Sequence, residues 1–254
     1  MRTYAAEALI LRTYRYGEAD RIVVFLTEDR GKRRGVAKNA TASRRRFGAA
    51  LEPLTEGRVQ YVEREGRELV RLDRVEPRRM VMAGGGEGAD DPARVLGHAA
   101  YFAELLDEWA PDAQANERLY RLGAAVARAL PAGGSVDALA RYFEYWLLKL
   151  EGVYPALDRC PRCGRPSLDA GAVCLVAERA YVCTDCAHGG IRLSSDALTF
   201  LRRARALAPA DVAAMGGQAG VLGELEEAHG RLIAAHLERE PRSARVMKEL
   251  RLES

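Results

Sequence analysis

Four cysteines carry the strongest chemical signal in the chain: Cys160-Pro161-Arg162-Cys163 and Cys183-Thr184-Asp185-Cys186, with nineteen residues between the two pairs. That spacing matches a four-thiolate zinc site. Each C-x-x-C knuckle supplies two corners of a tetrahedron, and two knuckles close it. A closed sphere ties chain segments together and leaves no position for water. One Zn2+ held by Cys160, Cys163, Cys183 and Cys186 is therefore expected to be structural. Gly164 tolerates the left-handed backbone that such a knuckle needs. Redox dithiols would need a thioredoxin-like βαβ context, which this stretch lacks. Neither C-x-x-C follows a proline, as a zinc deaminase requires. Cys174, inside Val173-Cys174-Leu175-Val176, reads as a buried inert thiol. His188 is surplus to a complete ligand set. His98, His229 and His236 fall on expected helices and read as packing residues. With no Walker loop, G-x-S-x-G or H-E-x-x-H motif, the chain is not expected to be an enzyme.

A second cluster is electrostatic. Residues 30–46 hold Arg30, Lys32, Arg33, Arg34, Lys38, Arg44, Arg45 and Arg46 with no acid among them. Residues 1–80 carry a net +7 and the remainder −4. Such a segment neutralises phosphates and releases counterions, which favours nucleic acid as the partner. Lys32, Arg33, Arg34, Lys38, Arg44, Arg45 and Arg46 are the expected phosphate contacts. Tyr14, Tyr16 and Phe47 add rings that, if exposed, would stack on unpaired bases; packing on the barrel is the other reading of the tyrosines.

The elements that position these residues follow from hydrophobic period. Ala8-Leu9-Ile10-Leu11, residues 21–26, 31–37, 58–63 and 68–73 read as short strands. Five strands in about 80 residues suit a small barrel, OB-type or SH3-like. Glycines 84–86 mark a flexible linker. Beyond it the period is helical: Asp91 caps one helix, residues 117–130 form a second, and Ser135 caps a third. Further helices are expected after Ser194-Ser195-Asp196, over 222–239 and over 243–252. The boundaries read as 1–80 barrel, 81–90 linker, 91–157 with 191–254 helical, and 158–190 zinc module. No apolar run is long enough for a membrane span, no secretory signal begins the chain, and the cysteine usage suits a reducing cytoplasm.

Several stretches together resemble the bacterial recombination mediator family RecO. Near the start these are Ala8-Leu9-Ile10-Leu11, Tyr16-Gly17-Glu18-Ala19-Asp20-Arg21-Ile22, Leu26-Thr27, Gly31-Lys32 and Val36-Ala37-Lys38. The most specific block is Arg141-Tyr142-Phe143-Glu144-Tyr145-Trp146-Leu147-Leu148 leading through Gly152-Val153-Tyr154-Pro155 to Cys160, Cys163 and Gly164. The resemblance implies an α+β multidomain protein: an N-terminal OB-type barrel, then an α-helical domain with an embedded zinc module. It also implies a nucleoid-associated cytoplasmic protein that binds single- and double-stranded DNA and anneals complementary strands. With RecR it would help RecA onto strands coated by single-strand-binding protein. Lys38 matches a family lysine, whereas Asn39-Ala40-Thr41 departs from the family's glycine-plus-basic pattern and Arg44-Arg45-Arg46 stands as compensation. Two rivals remain at this point: an adaptor whose barrel binds an acidic protein, and a zinc metalloenzyme.

Overall fold

The computed structural model describes residues 1–43, 46–83 and 91–252. The chain folds into two compact units, Met1–Ala132 with Ser243–Ser254, and Gly133–Arg242. No helix among the described residues is long and apolar enough to cross a membrane.

The first unit is built on five strands: β1 (Arg2–Tyr16), β2 (Asp20–Thr27), β3 (Gly31–Ala37), β4 (Glu56–Glu63) and β5 (Val70–Arg79). They close into a barrel of order β1-β2-β3-β5-β4, with β3 and β5 parallel and the other pairs antiparallel. This is an OB-like barrel. β1 is long because it pairs with β4 through its first half and with β2 through its second, bending at a bulge between Ile10 and Arg12. Alternate residues fill the interior: Ala6, Ala8 and Ile10 from β1, Val23 and Phe25 from β2, Val59 and Tyr61 from β4, Val70 and Leu72 from β5. Phe47, expected as an exposed ring, is only 2% exposed and plugs this core instead. An apolar ring gains more from burial than from solvent at that end of the barrel.

Two helices, α1 (Pro92–Trp109) and α2 (Glu117–Ala129), cover the outward leucines of β1. Asp91 caps α1 through Ala93 N, and Asn116 caps α2 through Leu119 N, both at 3.1 Å. The fit is close: a Cβ at Gly123 would stand 2.7 Å from Leu106 Cδ1 and 2.9 Å from Leu9 Cδ1. Glu56, 4% exposed, ties α2 to β4 by accepting from Arg128, whose guanidinium holds the carboxyl below its usual range. β3 pairs with β5 only over Gly35–Ala37. The other half of its far border meets the α1–α2 connection: Lys32 N donates to Pro111 O at 3.4 Å and Ala113 N to Lys32 O at 3.0 Å. Gly31 permits that approach, since a Cβ there would lie 2.0 Å from Gln114 O. Val81–Ala83 form a 3-10 turn, and the rest of the expected 81–90 linker lies outside the described residues. Helix α7 (Arg242–Leu252) returns to this unit, where Ser243 N donates to Glu104 at 2.8 Å.

The second unit comprises α3 (Val136–Leu150), the strands β6 (Ala172–Leu175), β7 (Ala180–Val182) and β8 (Ile191–Leu193), and helices α4 (Ser195–Ala204), α5 (Pro209–Met215) and α6 (Ala219–Leu237). The three strands form one antiparallel sheet, β7-β6-β8. Ser135 and Ser194 cap α3 and α4 as their sequences predict, each hydroxyl accepting at 3.2 Å. Packed helices α3 and α6 enclose a polar chain. Arg141 donates to Glu144 at 2.8 Å, Glu144 meets His229 Nδ1 at 3.1 Å, and His229 Nε2 lies 3.2 Å from the Tyr154 hydroxyl. Tyr154 in turn accepts from Tyr181 of β7 at 3.3 Å. Arg141 and Glu144 are each 1% exposed and His229 0%. Burial holds the His229 pKa below its ordinary value; the Glu144 carboxylate beside Nδ1 calls for a donor there, which for a neutral ring leaves Nε2 as the acceptor.

Candidate nucleic-acid interface and candidate metal centre

The outer face of β1–β3 brings rings, apolar side chains and cations into rows. Because Tyr14 faces Ile22, Ile22 faces Val36 and Val36 faces Arg71, these four form one line across the sheet. Tyr14 is 45% exposed and Tyr16, two residues on and on the same face, 49%. Arg34 and Lys38 share the parity of Val36 on β3 and its continuation, and both are exposed. The combination offers flat surfaces for bases and charges for phosphates side by side.

The other basic residues go elsewhere. Lys32 has the outward parity too, but the end of α1 covers it. Its Nζ donates to Asp107 O at 2.6 Å and lies 3.4 Å from Asp107 Oδ1 and 3.6 Å from Asp112 Oδ1, with 7% of the side chain exposed. Arg33 has inward parity and pairs with Glu63 at 3.1 Å. Arg46 latches its own segment: it donates to Lys38 O at 2.6 Å and Ser43 Oγ at 2.9 Å, and its guanidinium lies 5.1 Å from the Phe47 ring. Arg44 and Arg45 lie outside the described residues. Thus Arg34 and Lys38 share an open face, while Lys32 and Arg33 serve internal pairs. Arg12 is spent similarly, on Glu104 at 3.2 Å and Asp107 at 3.3 Å. The signal for this was available but weak: Glu104, Asp107, Glu108 and Asp112 make the end of α1 acidic.

The four knuckle cysteines do converge. Their sulfurs all lie within 4.8 Å of one another, and Cys163 Sγ is 3.7 Å from Cys183 Sγ. Thiolates about 2.3 Å from one tetrahedral ion stand roughly 3.8 Å apart, so the spacing suits a metal. Each knuckle is closed by its own backbone: Gly164 N donates to Cys160 O at 2.9 Å with Gly164 at φ 72°, and Cys186 N donates to Cys183 O at 3.1 Å. Cys183 N points at Cys160 Sγ at 3.4 Å and leads the interactions that lower that thiol to about 6. Cys186 is pushed up to about 12, chiefly by hydrogen bonding with the sulfurs of Cys183 and Cys163, which favours its protonated form. Arg162 donates to Cys186 O and Glu178, both at 2.7 Å, and Arg165 to Asp185 at 2.6 Å, so both clamp one knuckle to the other. Cys174 is buried on β6, and burial pushes its thiol up to about 11. No further group of three or more His, Cys, Asp or Glu gathers in this way among the described residues.

Residues 1–81 match the family Recombination protein O N terminal, and residues 92–245 match Recombination protein O C terminal. The chain belongs to the RecO family. Its RecO relatives include the DNA repair protein RecO of Koribacter versatilis, 41% identical over 200 residues that cover 78% of this chain and 77% of that protein. The RecO of Anaeromyxobacter dehalogenans strain 2CP-C is 36% identical over 95% of this chain and 94% of its own length. That of Geobacter sulfurreducens is 34% identical over 98% of this chain and 99% of its own length. Family membership makes the chain a DNA repair protein and accords with the OB-like barrel, whose strand faces are a known platform for oligonucleotides.

Proposed function

We propose that the chain is a non-enzymatic, cytoplasmic recombination mediator that binds single- and double-stranded DNA and anneals complementary strands. The observation that carries this reading is the Tyr14–Ile22–Val36 row flanked by Arg34 and Lys38 on the outer face of the barrel. Cations on that face neutralise phosphates of two strands at once, which lowers their mutual repulsion without ATP. Exposed Tyr14 and Tyr16 hold bases unstacked from their neighbours until partners meet. Arg34 and Lys38, with Arg44 and Arg45 nearby in the chain, are the assigned phosphate contacts, while Arg46 holds its own segment against Lys38 O and Ser43. Lys32 and Arg33 keep the face in register with α1 and β4. The family supports RecR and single-strand-binding protein as partners, and RecA as the downstream recombinase.

Cys160, Cys163, Cys183 and Cys186 fit one structural Zn2+, which when bound ties the two knuckles together. Four sulfur donors leave no open position for a substrate, which weighs against a metalloenzyme. The deciding experiment is fluorescence-detected annealing of complementary oligonucleotides, without nucleotide, at several salt concentrations. Salt-sensitive annealing that falls in Arg34→Ala/Lys38→Ala supports the proposal. A protein that ignores DNA in low salt but captures an acidic protein points to an adaptor. X-ray absorption showing fewer than four sulfur ligands would reject the closed metal site.

A further inference from the structure

The mouth of the barrel at the start of β1 is a cavity of about 540 Å³, far along the strand from Tyr14 and Tyr16. That volume lies inside the range of ligand pockets, which favour barrel mouths. Its walls continue the inward parity of the core: Arg2 and Tyr4 from β1, Glu63 from β4, Arg33 from β3. Beneath them Ala6, Val59, Tyr61, Val70 and Leu72 are buried, so the cavity is blind. The β4–β5 hairpin supplies the rim with Arg64, Arg67, Glu65 and Glu68, all exposed.

Part of the charge there is unspent. Arg33 and Glu63 neutralise each other at 3.1 Å. Among the described residues, however, no carboxylate lies within ion-pair distance of Arg2, Arg64 or Arg67, and no side chain hydrogen-bonds them. Three free guanidiniums around a concavity match a phosphate group. Two free glutamates on the same rim would repel a bare anion, but they accept N–H and O–H donors. A ring completes the set: Tyr4, its centroid 5.4 Å from that of Tyr61 and tilted 32° to it, with the Arg30 guanidinium 4.3 Å from its centroid. Guanidiniums, carboxylates and a ring at one place are complementary to a nucleoside phosphate, which has an anionic end and a donor-bearing sugar and base.

We infer that the barrel mouth binds one nucleoside monophosphate unit, its phosphate against Arg2, Arg64 and Arg67 and its donors toward Glu65 and Glu68. Because the cavity is blind, a strand running through is excluded, and the unit is either a free nucleotide or the phosphorylated end of a strand. The site uses neither Arg34 nor Lys38, so it stands apart from the strand-binding face.

The test is calorimetric titration of the full chain with 2′-deoxyadenosine 5′-monophosphate, beside anisotropy titrations with a short oligonucleotide bearing a 5′-phosphate or a 5′-hydroxyl. Saturable nucleotide binding, weakened at least tenfold in Arg64→Ala/Arg67→Ala, is the expected result. Both substitutions lie on an exposed hairpin, and an unchanged melting temperature would confirm the fold. Preference for the phosphorylated oligonucleotide identifies a strand end; equal oligonucleotide affinities with nucleotide binding identify the free ligand. Arg34→Ala/Lys38→Ala should keep nucleotide binding even where strand binding is lost. Failure of the nucleotide to bind together with indifference to the end phosphate overturns the inference. So does nucleotide binding that the hairpin variant leaves unchanged, or binding of an acidic peptide in place of nucleotide.

Discussion

The outer face of the barrel and the interior of the second unit hold their charges under opposite conditions. Arg34, 52% exposed, sits in water with Asp112 4.0 Å away, a weak tether that a phosphate can replace. Arg141, 1% exposed, is held by Glu144 at 2.8 Å and Glu226 at 3.4 Å. A hydrated cation is available to a partner but adds little to folding. A desolvated one is committed, and removing its partner leaves a buried charge with nothing to balance it. Charge near the surface is thus left available to a partner, as the proposed function requires, and charge between α3 and α6 is committed to position.

That contrast breaks most sharply at the proposed zinc. Stripping it with a strong chelator, or Cys160→Ser, should cost the 133–242 unit binding free energy on the order of 10 kcal/mol. Thermal unfolding should then show that unit melting early while the barrel still binds DNA; equal loss of both would join what we separate. Next in size, Arg141→Met should destabilise by about 3–5 kcal/mol in urea unfolding and leave the salt dependence of DNA binding unchanged. Tyr14→Ala/Tyr16→Ala should weaken single-strand affinity by about 1–3 kcal/mol per stacked base, with duplex affinity nearly intact. Arg34→Ala/Lys38→Ala should alter stability by less than about 0.5 kcal/mol. It should also flatten the log–log salt slope for single strands by about 1.4, the value for two phosphate contacts.

The smallest effect is a pH slope. The pKa of His229 is lowered in the fold, so an unfolded chain takes up its proton first, near pH 6.5. The stabilisation from keeping the ring neutral is complete above that pH and declines as pH falls toward the depressed folded value. His229→Gln should flatten the urea midpoint between about pH 5 and 7; an unaltered slope would mean another group governs it.

What the amino-acid order revealed tracks how local each feature is. A knuckle closes on itself within five residues, as Gly164 N to Cys160 O shows, so the cysteine cluster was readable in the chain. β3 was placed at Gly31–Ala37 by its bounding turns, and the capping serines by their side chains. β1 extends to Arg2–Tyr16 beyond its apolar core, because cross-strand pairing, not composition, sustains its ends. Helix α5 has seven residues and no side-chain cap, too little for a period to declare itself. Lys32 meets Asp107 across 75 positions and His229 meets Glu144 across 85, and no window of sequence sees such pairs. Run length therefore flagged the basic segment but did not sort its members into open and committed.

The covered border of β3 removes one route by which copies of the protein could pair. An uncovered strand margin recruits the main chain of another molecule and seeds fibrous stacking. Here residues 111–113 already occupy the margin of β3 that β5 leaves bare, and Gly31 lets them lie flush. Copies of the protein brought together find no bare strand margin at that border of the barrel. Assemblies formed across this border should come apart when salt is raised instead of hardening into sheets.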